Sequence, residues 1–191
     1  VRETINQYIS TIDILTNNVM EDNKELLDIL CKEENLDAIY DITNSKNIVV
    51  NRIINEVFIP KLRDLAEIKG LIMGDDCTEN WMKKSDVVVS FYNHHWKYLR
   101  LAFGFNCGGM RNPYFGFRTK VGVKREDVKD WEKVQKNYSS QRDQCWIWKD
   151  FNGNQDWDNA SGIKDLLNGK TLNAFSIMFD EAIDCVKGLD I

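Results

Sequence analysis

Apolar positions recur at helical spacing through the first third of the chain and at strand spacing after it. Ile5, Tyr8, Ile9, Ile12 and Leu15 share one face of a helix over residues 2–16, and Thr16-Asn17-Asn18 stops it. Leu26, Leu27 and Leu30 repeat the stripe over 23–32, as do Leu36, Ile39, Tyr40 and Ile42 over 35–42. Asn44-Ser45 then predicts a turn and an N-cap for the longest helix, Lys46 to Ile68. Its inward residues are expected to be Val49, Val50, Ile53, Ile54, Val57, Phe58, Leu62 and Leu65. Pro60 lies inside this helix, where it deletes a backbone hydrogen bond and crowds the preceding turn, at roughly 3 kcal/mol. A kink or break near Phe58 is the expected response, and Gly70 and Gly74 close the helical part.

From Asp75 the period changes to two. Asp86 to Tyr92 reads as a strand, and Asn93-His94-His95 as the turn into a hairpin from Lys97 to Val121. Both arms of that hairpin alternate around the glycine-rich turn Asn106 to Asn112. Leu99, Leu101, Phe103, Phe105, Phe115, Phe117 and Val121 fall on one face; Tyr98, Arg100, Tyr114, Arg118 and Lys120 fall on the other. Lys124 to Tyr138 reads as a charged helix, Cys145 to Phe151 as a further strand, and Asn152-Gly153 as a tight hairpin turn leading to Trp157. A helix from Asn159 to Leu167 ends at Gly169, and a last one runs from Thr171 to Gly188. The expected architecture is α+β. A helical segment of four helices (1–74) precedes a domain (75–191) with a mainly antiparallel sheet packed with helices.

Charge sharpens this picture. Residues 1–81 carry 8 basic and 16 acidic side chains, residues 94–149 carry 12 and 5, and residues 150–191 carry 3 and 8. The middle of the chain is therefore basic between two acidic ends. Such a pattern marks either a surface for an anion or a segment that neutralises its own neighbours within the fold. The five cysteines form no CxxC pair and are odd in number, which fits reduced thiols in a cytoplasm. No apolar run of about 18 residues is present, so no membrane-spanning helix is expected. The start lacks an initiating Met and an apolar leader, and a helix is already under way at Arg2, so the chain reads as a piece of a longer protein.

Most candidate motifs have plainer explanations. Asn168-Gly169-Lys170-Thr171 resembles the tail of a phosphate-binding loop, but the glycine required five positions earlier is Lys164, and a helix end followed by a helix start explains the same letters. Asp150, Asn152, Asn154, Asp156 and Asp158 alternate like a calcium loop, yet the sixth position is Gln155 and the closing position is Ser161. His94 and His95, the only histidines, point apart on an extended segment and do not make a metal pair. No serine or cysteine has an identifiable His-acid pair, so acyl transfer is disfavoured. No metal and no cofactor is expected in this chain.

The basic-aromatic face carries more. Tyr98 and Tyr114 are placed to stack on bases while Arg100, Arg118 and Lys120 contact phosphates of DNA or RNA, with Lys124, Arg125, Lys129 and Lys133 extending the surface. The competing expectation is that the helix at 124–138, or another domain, covers this face.

The opening run Arg2 to Ser10 with Leu15-Thr16 resembles the helix that follows the catalytic core in an uncharacterised bacterial branch of the PD-(D/E)XK nuclease superfamily. The later order is similar too, with Trp96 to Leu99 and Tyr114 to Phe117 strands, tryptophan-bearing strands and a terminal helix. That family needs an Asp and an acidic-x-Lys on neighbouring strands, two carboxylates holding Mg²⁺ while the Lys helps activate water. The nearest match is Glu67-Ile68-Lys69 beside Asp64 or Asp75, but it ends a helical pattern, so no catalytic residue is carried over. The resemblance implies a non-catalytic C-terminal accessory domain that engages nucleic acid or packs on an upstream catalytic core, which alone would hold Mg²⁺. The alternatives are a protein-interaction module of a toxin-antitoxin or phage-defence system, and a self-contained nuclease using Glu67 and Asp75.

Overall fold

The computed structural model describes residues 32–74, 81, 88–107, 109–138, 140–143, 146–151 and 156–191. The expected helix at 2–16, nearly all of the one at 23–32, and the Asn152-Gly153 turn lie outside them. Packing divides the chain into two units, Val1–Asn47 and Ile48–Ile191.

Helix α1 (Glu33–Arg52) runs straight through Asn44 and Ser45, where a turn was expected. Asn and Ser each cost a helix interior less than about 0.7 kcal/mol, which is small beside the cost of nucleating a second helix. The chain does not break at Pro60 either. It widens into a π-helical stretch, Ile53–Phe58, in which the Ile59 N–H donates to Ile54 O, five residues back, before α2 (Ile59–Ile68) continues. The wider turn moves away the carbonyl that the proline ring would strike and needs no donor from Pro60. It also holds phase. Val50, Ile54, Phe58, Leu62 and Ala66, spaced four apart, are all buried, whereas an unbroken α-helix would rotate such a stripe by about 40° at each step. Val49 falls off the stripe and is 53% exposed, correcting its inward assignment.

The sheet is six-stranded and antiparallel: β1 (Ile72–Met73), β2 (Val88–Tyr92), β3 (Leu99–Cys107), β4 (Arg111–Thr119), β5 (Ser140–Asp143) and β6 (Trp146–Asp150), in the order β1-β2-β3-β4-β6-β5. The hairpin read from the sequence is its centre, paired from Leu99↔Thr119 to Cys107↔Arg111. The second unit starts at Ile48, ahead of the boundary read at Gly74, because α2 packs on β1 and on the last helix, so helix and sheet share one core. Strand β5 was not expected. Ser-Gln-Arg-Asp has no apolar alternation, as suits a polar strand at a sheet edge.

Leu99, Leu101, Phe103, Phe105, Phe115 and Phe117 are all buried on the sheet's first face. Val121 is 94% exposed instead, because β4 ends at Thr119 and the chain turns at Gly122, whose φ is 81°. The expected helix at 124–138 is a 3₁₀ turn (Arg125–Asp127) followed by a short helix α3 (Trp131–Gln135). The Asp127 carboxylate accepts from the Lys124 N–H at 2.8 Å, a local bond that competes with continuous helix. Helices α4 (Ala160–Leu167) and α5 (Lys170–Cys185) complete the layer, with the Asn159 side chain capping α4 through the Gly162 N–H. Phe175 of α5 sits at the heart of the core, its ring 4.7 Å from Phe103 and 5.0 Å from Phe151. Trp81 is fully buried, its backbone N–H donating to Asn51 and its indole N–H to Asn55 on successive turns of the helix. The architecture is thus α+β, with helices followed by an antiparallel sheet packed with further helices.

Candidate nucleic-acid interface

Period-two alternation that buries the phenylalanines on one face puts the intervening residues on the other. The strand register aligns those residues in rows across the sheet. One row is Tyr92, Arg100, Arg118 and Trp146; the next is Ser90, Ala102, Gly116 and Trp148. A second small core lies on this face, with Ala102, Tyr114 and Trp146 buried and Val88 and Trp148 packed against them. Tyr114 stands between the two indoles, 5.1 Å from each.

Of the five residues expected to form the basic-aromatic face, the structure brings Arg100, Tyr114 and Arg118 together and sets two apart. Arg100 is directly opposite Arg118, both partly buried. The Arg100 guanidinium donates to the Tyr92 hydroxyl at 2.9 Å and lies 6.0 Å from that ring. Arg118 lies over the Trp146 ring at 5.1 Å. Tyr114 is 1% exposed, so its ring is core on this side of the sheet. Tyr98 precedes the first regular strand residue and packs against the main core, with the Lys97 ammonium 4.6 Å from its ring. The Lys120 ammonium donates to Trp96 O at the same end of the hairpin. The 124–138 segment does not lie over Arg100 and Arg118. Its Val128, Trp131, Val134 and Tyr138 join the main core, and the Tyr138 ring meets Phe115 and Phe117. Tyr92, Trp146 and Ser90 were not among the expected site residues, because only the long-range register brings them beside the arginines.

The charge asymmetry is largely spent within the fold. Lys149 pairs with Glu181 at 2.7 Å, Lys129 with Asp190 at 2.8 Å and Arg111 with Asp158 at 3.8 Å, each joining the basic middle to the acidic end. Lys133 and the Asp190 N–H hold the Asp130 carboxyl below its usual range. Burial pushes the Tyr138 phenol well above its ordinary value, with Cys185 and Glu181 adding to it. Arg118 is different. It forms no ion pair among the described residues, and its only contact of this kind is with the Trp146 ring.

Other candidates resolve into structure. Lys69 holds Asp180 through both carboxylate oxygens at 2.7 Å, at the end of a helix where Glu67 and Lys69 diverge. Asp156 accepts from the Asn112 N–H at 2.7 Å. Gly169, at φ 86°, closes α4 and opens α5, so the expected cap at Thr171 is replaced and Thr171 is buried in the first turn. No group of three or more His, Cys, Asp or Glu among the described residues is placed to hold a metal ion. No helix among them is long and apolar enough to cross a membrane.

Protein-family models, curated proteins and solved structures give no match to this chain. The functional reading therefore stands on the geometry of the sheet.

Proposed function

We propose that this chain is a non-catalytic accessory domain that contacts nucleic acid through the row Tyr92–Arg100–Arg118–Trp146. The observation that carries the reading is Arg118, a partly buried cation without an ion pair among the described residues, set opposite a second arginine. Like charges directly opposite on neighbouring strands destabilise a sheet, and a phosphate between them reverses the sign. Guanidinium groups suit phosphate oxygens by their paired donors, and flanking aromatic rings offer stacking surfaces for bases. The resemblance of the opening helix assigns the domain to the company of a PD-(D/E)XK catalytic core, where Mg²⁺ would be held.

The test is fluorescence anisotropy of labelled oligonucleotides over a salt series. Binding is expected to weaken with salt by about 0.7–0.9 log units per log unit of salt for each phosphate contacted. Arg118→Glu should lower affinity by about tenfold or more and flatten that slope by about one phosphate. Equal affinity of the wild-type and Arg118→Glu proteins would sink the proposal, as would a stable complex with a protein partner and indifference to nucleic acid.

A further inference from the structure

Three side-chain atoms on the sheet's second face are buried without a hydrogen-bond partner: Ser90 Oγ, Trp146 Nε1 and Trp148 Nε1. Ser90 is 0% and Trp146 4% exposed. Another such atom, Trp131 Nε1, belongs to a residue of the main core. A buried donor left unmade carries its full desolvation cost, so a native domain seldom keeps several on one surface. The three here fall in two adjacent rows that also contain Arg100 and Arg118. Between Ser90 and Trp148 the row holds only Ala102 and Gly116, so nothing larger than a methyl group rises from its floor.

The chemistry of these groups points one way. An indole N–H only donates, a guanidinium only donates, and a serine hydroxyl can donate. The complementary ligand is rich in acceptors along its length rather than at one point. Ser90 and Trp148 stand on strands three steps apart, roughly 14 Å at the usual strand spacing, which is too far for one phosphate group. An unpaired nucleic-acid chain supplies phosphate oxygens and base carbonyls at that spread, and its bases turn singly towards a surface. A duplex presents a stiff backbone with its base edges already paired. We infer that the face takes single-stranded nucleic acid laid across the β-strands from β2 to β6. Phosphates meet Arg118 at its partly exposed edge, and acceptors of the bases meet Ser90, Trp146 and Trp148. This inference rests on the nucleic-acid reading of the same face.

The experiment compares an unpaired oligonucleotide with its duplex of equal length, using the whole chain and two donor deletions, Ser90→Ala and Trp148→Phe. The unpaired form is expected to bind at least tenfold tighter than the duplex. Each deletion should weaken that binding by about threefold to tenfold, while the melting temperature of the free protein holds or rises, since no bond is lost. Ser90→Ala carries the test should Trp148→Phe fail to fold. Duplex binding as tight as single-strand binding, unchanged affinity in both variants, or a lowered melting temperature in Ser90→Ala would each overturn the inference. Salt-sensitive binding that depends on Arg118 would in those cases still uphold the broader reading, and absence of all nucleic-acid binding would remove both.

Discussion

Replacing Gly116 by alanine tests the frame on which the second face is built. Gly116 is paired with Trp148 in the middle of the β4–β6 ladder, which runs from Tyr114↔Asp150 to Arg118↔Trp146. A Cβ at this position would stand 1.9 Å from Ile147 O, 2.6 Å from Trp148 Cα and 2.8 Å from Ile147 C. All three are backbone atoms, so no side chain can swing aside. Restoring ordinary contact requires β6 to retreat by about 1.5 Å, and overpacking of that kind costs about 1–3 kcal/mol. Stretching the ladder endangers about two hydrogen bonds between buried strands, each worth about 1 kcal/mol net. A loss of about 3–5 kcal/mol follows, large beside the 5–15 kcal/mol typical of a domain, and lowers the melting temperature by about 10 °C. Circular dichroism on heating and urea titration measure it. Gly70→Ala is the control, since φ there is 71° and nothing lies within 4 Å of the new Cβ; its cost is confined to the left-handed conformation, about 1–2 kcal/mol. If Gly116→Ala stays within about 1 kcal/mol of wild type, β4 and β6 are not this close, and the rows that define the second face lose their basis.

Phe175→Ala removes the ring that meets Phe58, Phe91, Phe103, Phe151 and Phe179 within 6.3 Å. A loss of about 3–5 kcal/mol is expected in urea unfolding, and a loss below about 1 kcal/mol would show that α5 is not seated on the first face. Tyr138 links stability to alkaline pH. Burial raises its pKa above the ordinary 10.0, so the folded state keeps the proton that the unfolded state releases. Its contribution is complete below that ordinary value and is lost as pH rises above it. Tyr138→Phe should flatten the fall of melting temperature above pH 10, the ordinary value for a tyrosine, and an unchanged slope would contradict the burial of the phenol.

The sequence made local pairings legible and long-range ones not. Arg100 and Arg118 could be placed on one face because a single turn joins their strands, and alternation then settles both phases. Tyr92 and Trp146 obey the same alternation, but which residue each faces depends on a register between strands that no local turn specifies. The π-helical stretch shows a similar limit. Pro60 announces a disturbance, yet kink, break and widening all relieve it. The choice was made by Val50, Ile54, Phe58, Leu62 and Ala66, whose spacing of four keeps one stripe on the core only if a turn widens. At 124–138 the apolar spacing was helical and the buried residues were the expected kind, but Asp127 folding back onto Lys124 divided the segment.

Charge gives the strongest case for separating pattern from placement. The basic middle of the chain suggested a broad anion surface, with lysines extending the arginines. The fold instead turns Lys129 and Lys149 to Asp190 and Glu181, on segments far away in sequence, and ties Lys120 to a backbone carbonyl. Exposed pairs of this sort contribute little stability, about 0–1 kcal/mol each, but they remove those cations from any binding surface. What survives is narrow: Arg118 over an indole, opposite Arg100, beside a row floored by Ala102 and Gly116. A surface that relied on net charge would tolerate loss of any one cation. A surface built on this row should fail on Arg118 alone and scarcely respond to Lys129→Gln, which makes the comparison of those two variants a direct measure of whether register or net charge attracts the ligand.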